Sequence, residues 1–419
     1  MIARLPQCQR VAVSCVRLAL VSACADRAAA RDACATEAPR FSTHDSAGVA
    51  ISISRAAAAL HIIADADELW RAGETETDSV LFGEVTDATR LVDGRVLVAD
   101  GRSVALQLFD SSGRWVREVG DKGSGPGQYS RVSALLRTSG DSVLVYDGRT
   151  GNLTTLDAQL SPVSVRRVSP SSRRPTDSAA VYLLGAVPKG VLHGRDVLVS
   201  RLVATRVRAE VTNVSRDSLV LQRESAADSL SDSLTFAMGQ QRFEYYVNNG
   251  DLTFGDVPLG YVESIAVGAG GVFVGDAYTF NVAHFSPAGT LERFIRVCHK
   301  PALLDEREID RTINEMLSEL SSSSRAMEEP GLRQLPRARF TPAHLELLTD
   351  TSGQLWAREF TYAGAAQRWR VFDQAGQWQR TVELPDNGEL LEVGDGYALV
   401  RYSAPLGVES VRLYRYAPE

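Results

Sequence analysis

The sequence lacks the features that would place it in several well-marked classes of protein. It has five cysteines among 419 residues, with no Cys-x-x-Cys pair and no cysteine and histidine spacing typical of zinc sites. No segment approaches the ~18 apolar residues that a membrane-spanning helix needs, and no Gly-x-Ser-x-Gly nucleophile motif occurs. The formal net charge is −7 and no basic stripe is present, so nucleic acid is not expected as a partner.

The few cysteines are unevenly placed. Cys8, Cys15, Cys24 and Cys34 fall in the first 34 residues, and Cys298 stands alone. An odd count does not predict a disulfide framework. If a leader is removed before Cys24 and Cys24 is lipidated, only Cys34 and Cys298 remain as possible thiols, and they are expected to be unpaired because Cys34 lies in an alanine-rich tether.

The N-terminus has the elements of a secretory signal over residues 1–23, namely Arg4 and Arg10 followed by the apolar run VAVSCVRLALVSA. Val21–Cys24 also resembles a bacterial lipobox, which makes Cys24 a candidate for lipidation. The alternative is a misassigned start codon. We predict export to the periplasm or cell envelope, with membrane contact only through this lipid, and a flexible tether over residues 24–45.

A unit of about 40 residues returns along the chain, and each copy predicts strand, turn, strand, tight turn and strand. Two copies read DGRVLVADGRSVALQLFDSSGRWVREV and GGVFVGDAYTFNVAHFSPAGTLERFIRV. Apolar and polar residues alternate, as in half-buried strands, and glycine closes the tight turns, where a positive φ is needed. Since one unit cannot bury its own apolar face, the units are predicted to stack.

Six units are predicted over residues 46–419, at 83–120, 130–168, 180–257, 260–297, 340–384 and 388–417. The third diverges and has long strands. A strand at Ala50–Ser54 precedes the first unit. We expect it to pair with the last unit, so that both ends of the chain close a ring and leave no open edge.

Residues 303–329 differ from the repeats and predict a helix. Asp305 and Glu308 have the spacing of a capping box. Apolar side chains then recur at helical spacing, at Ile309, Ile313, Met316, Leu317 and Leu320. We expect one amphipathic helix followed by a serine-rich break. It either covers apolar surface of the ring or serves as a lid or a docking element for a partner.

The segment GDKGSGPGQY at residues 120–129, the following DSVLVYD and the later RWRVFDQAGQ resemble the NHL-like six-bladed β-propellers of exported bacterial proteins. In that family a glycine-rich linker joins consecutive blades, and here Tyr129 replaces the usual Phe. The resemblance implies an all-β, six-bladed propeller of four-stranded blades, with the helical insertion between blades 4 and 5. It implies little about activity, because one propeller fold hosts many unrelated functions.

Two motifs admit a ligand-binding and a structural interpretation. Gly120–Gly127 could cradle phosphate only if a helix N-terminus followed; a strand is predicted there, which favours a turn between blades. Asp100, Asp147 and Asp276 recur at one position of the repeat. They could bind Ca²⁺, but we expect each to accept backbone N–H groups at a turn between strands.

Three ionisable residues fall near the predicted innermost strands. Related six-bladed folds include metal-dependent lactonases and lyases, which gather histidine or carboxylate ligands around the central channel. Because ionisable groups are concentrated here on strands that should otherwise be apolar, Glu263, His344 and Glu346 are candidates for a small-ligand or divalent-cation site, for Ca²⁺ or Zn²⁺, at the channel mouth. Lone histidines are otherwise mostly structural. No catalytic or cofactor-binding residue is predicted.

The leading hypothesis is a non-enzymatic, monomeric scaffold outside the cytoplasm, which binds a protein, peptide or glycan through the loops of one rim. The alternative is a metal-dependent lactonase, lyase or hydrolase with its site in the central channel. A third possibility is a sensor domain within an envelope complex. Three convergent His, Asp or Glu side chains in the channel would favour the enzyme, and an apolar or plugged channel would favour the scaffold.

Overall fold

The structure is a computed structural model of the full chain. It describes residues 39–57, 59–73, 80–102, 104–138, 140–168, 171–175, 180–205, 214–227, 231–246, 252–334, 336–385, 388–404 and 407–416. The predicted leader, the lipidation site Cys24 and the first part of the predicted tether lie outside these ranges.

The described chain begins with a segment that precedes the repeats, here called the N-terminal strap (residues 41–72). Its strands are β1 (Phe41–Ser46), β2 (Val49–Ser54), β3 (Ala59–Ile62) and β4 (Glu68–Ala72), with a 3₁₀ turn at Asp65–Asp67 before the last. The tether predicted through residue 45 therefore ends earlier, because residues 41–45 form β1.

The first two blades are regular four-stranded antiparallel sheets. Blade 1 contains β5 (Val85–Arg90), β6 (Val96–Asp100), β7 (Ala105–Phe109) and β8 (Trp115–Val119). The linker to the next blade forms a short parallel pair, β9 (Asp121–Lys122) and β10 (Gln128–Tyr129). Blade 2 contains β11 (Val132–Arg137), β12 (Val143–Asp147), β13 (Asn152–Leu156) and β14 (Pro162–Arg167).

Blade 3 is the diverged unit and has six strands in sequence order. They are β15 (Ser171–Pro175), β16 (Ala180–Val191), β17 (Val197–Thr205), β18 (Val214–Glu224), β19 (Ser231–Tyr246) and β20 (Leu252–Asp256). Strands β16 to β19 are longer than their counterparts in the other blades, so blade 3 extends beyond them. The predicted long strands are confirmed.

Blade 4 contains β21 (Ser264–Gly268), β22 (Gly271–Gly275), β23 (Asn281–Phe285) and β24 (Leu291–Val297), and the helical insertion follows it. The insertion consists of α1 (Glu306–Glu319) and α2 (Ser322–Gln334). Asp305 caps α1 by accepting the N–H of Arg307 at 2.9 Å. The prediction of a single helix is wrong, because the serine-rich stretch begins α2 instead of breaking the structure.

The last two blades complete the ring. Blade 5 contains β25 (Leu347–Thr349), β26 (Leu355–Arg358), β27 (Arg368–Phe372) and β28 (Trp378–Glu383). Blade 6 contains β29 (Glu389–Gly394), β30 (Tyr397–Ser403) and β31 (Glu409–Arg415). Its fourth, outermost strand is β4 of the strap, which pairs antiparallel with β31.

The N-terminal strap runs along the outer edges of three blades. Strand β2 pairs in parallel with β24 of blade 4, β3 pairs in parallel with β28 of blade 5, and β4 closes blade 6. The predicted pairing of Ala50–Ser54 with the last blade is therefore wrong. Closure by a strand from before the first blade is correct, but Glu68–Ala72 provides it.

Stacking of neighbouring sheets forms the core, since the described residues form an apolar cluster between each pair of adjacent blades. Between blades 5 and 6, for example, the buried Trp369 shares a cluster with Tyr414. Between blades 6 and 1, Trp70 of the strap stacks on Phe109, with ring centroids 6.2 Å apart. The chain thus forms a six-bladed β-propeller, and its apolar surface is hidden between blades.

The helical insertion joins a separate apolar cluster. Ile309, Ile313 and Leu317 of α1 and Leu332 of α2 are buried. They pack with Phe243 and Val257 of the blade 3 extension, and Phe360 and Tyr362 of blade 5 lie against the cluster. The insertion therefore connects blade 3 to blade 5 and passes over one end of blade 4. This agrees with the prediction that the apolar face of the helix covers apolar surface of the ring.

Cys298, directly after β24 of blade 4, is disulfide-bonded. The expectation that it is an unpaired thiol is therefore wrong. The other cysteines lie outside the described residues. Within the part of the chain that the structure describes, no helix is long and apolar enough to span a membrane.

Candidate functional site

The central channel is lined by the innermost strand of each blade. These strands are β5, β11, β16, β21, β25 and β29, and β5 contacts both β11 and β29 across neighbouring blades. The end of the ring at which β5, β11, β21, β25 and β29 begin is here called the channel mouth. The blade 3 extension and the helical insertion lie at this end, because β24 reaches it at Val297 and β25 leaves it at Leu347.

Charged residues collect at the channel mouth and pair between adjacent blades. Glu84 precedes β5 and Arg131 precedes β11, and their side chains form an ion pair at 3.5 Å between blades 1 and 2. Lys189 of β16 reaches Glu263, the residue before β21, at 2.9 Å. The ring thus brings opposite charges from sequentially distant strands into contact.

Blades 5 and 6 add two more pairs. Arg358 lies 3.6 Å from Glu346, the residue before β25. Arg401 pairs with Glu389, and it also donates to the carbonyl oxygen of Val85 in blade 1. This second contact ties the last blade to the first at the channel mouth.

Glu346 has an altered acidity in this setting. Partial burial against the channel wall, which leaves 36% of the side chain exposed, raises its pKa to about 7 with help from the nearby Glu389 carboxylate, although Arg358 and Arg401 oppose the shift. A carboxyl with such a pKa exchanges its proton close to neutral pH.

Asp87 of β5, which lies deeper in the channel wall, has a pKa similar to that of Glu346. Burial raises its pKa to about 7 and the neighbouring Glu392 adds to the effect, against the backbone N–H groups of Leu135 and Ala88. Those N–H groups donate to the Asp87 carboxylate at 2.7 and 2.8 Å. Asp87 therefore links the inner strands of blades 1 and 2 while keeping a proton near neutrality.

The three metal candidates are not brought together. Glu263 is engaged with Lys189 and Glu346 with Arg358. His344 lies in the core between blades 4 and 5, where its Nδ1 is 2.9 Å from the Ser264 hydroxyl. Burial and the nearby Arg370 lower its pKa to about 3, so the ring is neutral.

These residues do not fit a shared cation, because each points to its own partner. Among the described residues, no group of three or more His, Cys, Asp or Glu side chains is placed to hold a metal ion. The structure therefore offers Ca²⁺ or Zn²⁺ no ligand set from Glu263, His344 and Glu346.

The repeated aspartates have the expected structural role. Asp100 accepts the N–H groups of Glu84 and Arg102 at 3.0 and 3.1 Å. Asp147 and Asp276 accept backbone N–H groups in the same way at their own turns. Each acid thereby fixes the turn after the second strand of its blade.

The glycine-rich linker is also structural. Asp121 donates its N–H to the carbonyl oxygen of Gly127 at 3.0 Å, and Tyr129 is buried between blades 1 and 2. Because a strand follows this linker, no helix N-terminus is available to a phosphate. The interpretation as a turn between blades is confirmed.

Arg216 fixes the blade 3 extension to blade 4 at the channel mouth. Its guanidinium donates to the carbonyl oxygens of Gly239, Val262 and Asp276. It also lies 5.5 Å from the ring centre of Tyr261, which makes an edge contact with Tyr278. Tyr278 is 56% exposed and presents an aromatic side chain on the rim of the channel mouth.

Sequence reasoning missed Asp87, Lys189, Arg358 and Arg401. A signal was present, because an ionisable residue in an innermost strand breaks the apolar pattern of that strand. This signal does not identify Arg358 and Arg401, because they lie on the second strands of their blades. Their side chains reach the channel only because of how the strands are arranged in the folded blades.

The fold and channel define a six-bladed β-propeller, and comparison with known proteins agrees. A family model described as a 6-bladed beta-propeller matches residues 74–169. This match confirms the resemblance seen in the glycine-rich linker and the strands around it. No curated protein matches the chain.

Several solved structures are similar to the chain over most of its length. A protein from Bacteroides fragilis assigned as exported is 16% identical, with 86% of this chain and 98% of that chain covered and a TM-score of 0.45. Virginiamycin B lyase from Staphylococcus aureus is 10% identical, with 83% and 99% covered and a TM-score of 0.38. A calcium-binding regucalcin from Agrobacterium tumefaciens is 11% identical, with 86% and 97% covered and a TM-score of 0.36.

Proposed function

We propose that the protein is a non-enzymatic binding scaffold outside the cytoplasm, which holds a protein, peptide or glycan partner on the rim of the channel mouth. The observation that carries this proposal is the concentration of non-repeat structure at that rim. The blade 3 extension and both helices of the insertion meet there around Phe243 and Ile313. Binding residues are commonly carried by loops and insertions on a rigid scaffold.

The chemistry of the rim suits a polar partner with some aromatic contact. The paired charges of Glu84 with Arg131 and of Lys189 with Glu263 can exchange hydrogen bonds with a ligand. Tyr278 adds an exposed aromatic surface. Exposed aromatic and arginine side chains are enriched where proteins bind partners.

Location outside the cytoplasm is part of the proposal. The disulfide at Cys298 supports it, because disulfides form and persist in oxidising compartments. Export through the signal at residues 1–23, a lipid anchor at Cys24 and a monomeric state complete the proposed arrangement.

Photo-crosslinking in the native host tests where the partner binds. A photoreactive phenylalanine analogue would replace Tyr278 on the rim, or Trp115 on the outer edge of blade 1 as the matched control. Both side chains are large and exposed, so both variants should fold. Adducts from position 278 and none from position 115 are expected, and a glycan array with the purified protein covers a carbohydrate partner. Adducts from position 115 alone, or no adduct and no glycan signal, would overturn the proposal.

Channel chemistry is a second candidate, as a lactonase, lyase or hydrolase, and the acidity of Asp87 and Glu346 favours it. Both have a pKa of about 7, and general acid and base residues work best near the operating pH. Metal analysis and a lactone panel, with and without added Ca²⁺ or Zn²⁺, test this candidate. Turnover that is lost in Glu346→Gln would favour the enzyme. The absence of turnover by the wild type would favour the binding scaffold.

A further inference from the structure

A cleft opens at the end of the ring opposite the channel mouth, between blades 1 and 2. It has a volume of about 160 Å³ and lies between the turn that follows β5 and the turn that follows β11. Its apolar wall includes Leu91, Val92 and Val143, and its polar wall includes Arg137, Asp141 and Ser142. Sites for drug-sized ligands are larger, roughly 300–1,000 Å³, so this cleft suits a small molecule.

The walls of the cleft are held in place by hydrogen bonds within and between the two blades. Arg95 donates to the Asp93 carboxylate at 2.6 Å and to the carbonyl oxygen of Ala158, in blade 2, at 2.9 Å. On the other side, Thr138 donates its hydroxyl to the carbonyl oxygen of Ser142 at 2.9 Å. The cleft is therefore formed before any ligand arrives.

Arg137 lines the cleft, and its guanidinium is anchored to blade 6. Its Nη1 donates to the Tyr397 hydroxyl at 3.0 Å and lies 3.5 Å from the Glu392 carboxylate. Both contacts use the same nitrogen, and 32% of the side chain stays exposed. Among the described residues no partner is shown for its other guanidinium nitrogens, and a planar guanidinium can bind a carboxylate through two of them.

Asp141 supplies the opposite charge. Its side chain is exposed beside the cleft, and among the described residues the structure shows no hydrogen bond or ion pair to its carboxylate. A cation held by Asp141, a carboxylate held by Arg137 and an apolar group against Leu91 and Val92 are the three parts of an α-amino acid.

We propose that this cleft binds a small zwitterion with an apolar side chain, such as a free aliphatic α-amino acid. The site is independent of the partner proposed for the channel mouth, which lies at the other end of the ring. Either proposal can therefore fail while the other stands.

Binding of L-alanine, L-valine and L-leucine to the purified protein tests the proposal by ligand-observed NMR and calorimetry. At least one should bind with a Kd of about 1 mM or tighter, a free energy of about −4 kcal/mol. For leucine, 4-methylpentanoate lacks the ammonium group and 3-methylbutylamine lacks the carboxylate. Each should bind about tenfold more weakly or worse, because a hydrogen bond to a charged group is lost.

Variants assign the binding to the cleft. Asp141→Asn should weaken binding about tenfold, while Asp395→Asn, an exposed acid on a turn of blade 6, should leave it unchanged. Arg137→Lys keeps the charge but loses the planar fork, and it should also weaken binding, with thermal melting used to confirm that it folds. No binding of the three amino acids at about 10 mM, tenfold above that Kd, would overturn the proposal. Equal binding of both analogues, or unchanged binding by Asp141→Asn, would do so as well.

Discussion

The imidazole of His344 lies directly against the α-carbon of Gly275. A β-carbon at position 275 would come within 2.5 Å of Cε1 and 2.7 Å of Nε2 of that ring. His344 is fully buried and is held by the Ser264 hydroxyl. The ring therefore fills the space that any other residue at position 275 would need.

Gly275→Ala should accordingly destabilise the protein by about 1–3 kcal/mol, the usual effect of overpacking a core. Urea denaturation measures this change. In a His344→Ala background the same substitution should cost much less, because the ring is gone, giving a coupling energy of about 1 kcal/mol or more. Strict additivity of the two substitutions would show that the contact does not exist in solution.

The repeats could be read from the sequence because each blade obeys local rules. Alternation of apolar residues predicts the strands, glycine predicts the tight turns, and Asp100 and Asp147 mark equivalent turns of two blades. The pairing of β2 with blade 4 could not be predicted in this way. An exposed edge of any blade accepts an extended strand, so the choice depends on the path of the strap around the ring.

The second helix of the insertion and the ion pairs of the channel also depend on tertiary packing, which local sequence patterns do not predict. Helix α2 begins in a serine run and contains Pro330, so its sequence has little helix preference. Packing of Leu332 in the cluster around Phe243 stabilises it instead. Glu263 and Glu346 could be placed near the channel, but their partners Lys189 and Arg358 depend on how the blades meet.

Closure of the ring by β4 predicts unequal effects of two neighbouring substitutions. Trp70 is buried against Phe109 and lies opposite Leu413 in blade 6, whereas Leu69 on the same strand is 47% exposed. Trp70→Ala should cost about 3–5 kcal/mol, and Leu69→Ala should stay within about 0.5 kcal/mol of the wild type. Chemical denaturation of both variants checks this, and similar effects would argue against closure by β4.

The acidity of Glu346 predicts a pH-dependent contribution to stability. The folded protein keeps the Glu346 proton up to about pH 7, whereas the ordinary pKa of a glutamate is 4.5. Between these values only the folded state holds the proton, so this group stabilises the fold as the pH falls and the benefit is lost as the pH rises through 7. Relative to Glu346→Gln, the wild type should be more stable at pH 5 than at pH 8.

Urea denaturation of both proteins at a series of pH values measures that difference. The pKa itself can be followed by NMR of the Glu346 side-chain carboxyl. A titration midpoint near 7 is expected, and a midpoint near 4.5 would show that the channel wall does not bury this group as described.

The disulfide at Cys298 predicts a redox-dependent stability. The bond lies directly after β24, the strand that pairs with β2 of the strap, and the N–H of Cys298 donates to the carbonyl oxygen of Ser54 in that strap at 3.0 Å. Loss of a native disulfide commonly costs about 2–5 kcal/mol. Full reduction should therefore lower the Tm of the wild type, and Cys298→Ser should melt at the Tm of the reduced wild type whether or not reductant is present.

Thiol counting confirms reduction, and peptide mapping under non-reducing conditions identifies the partner cysteine. If the reduced and oxidised proteins melt alike, the bond does not stabilise the fold, and a free Cys298 thiol in the oxidised protein would remove the support that the bond gives to export.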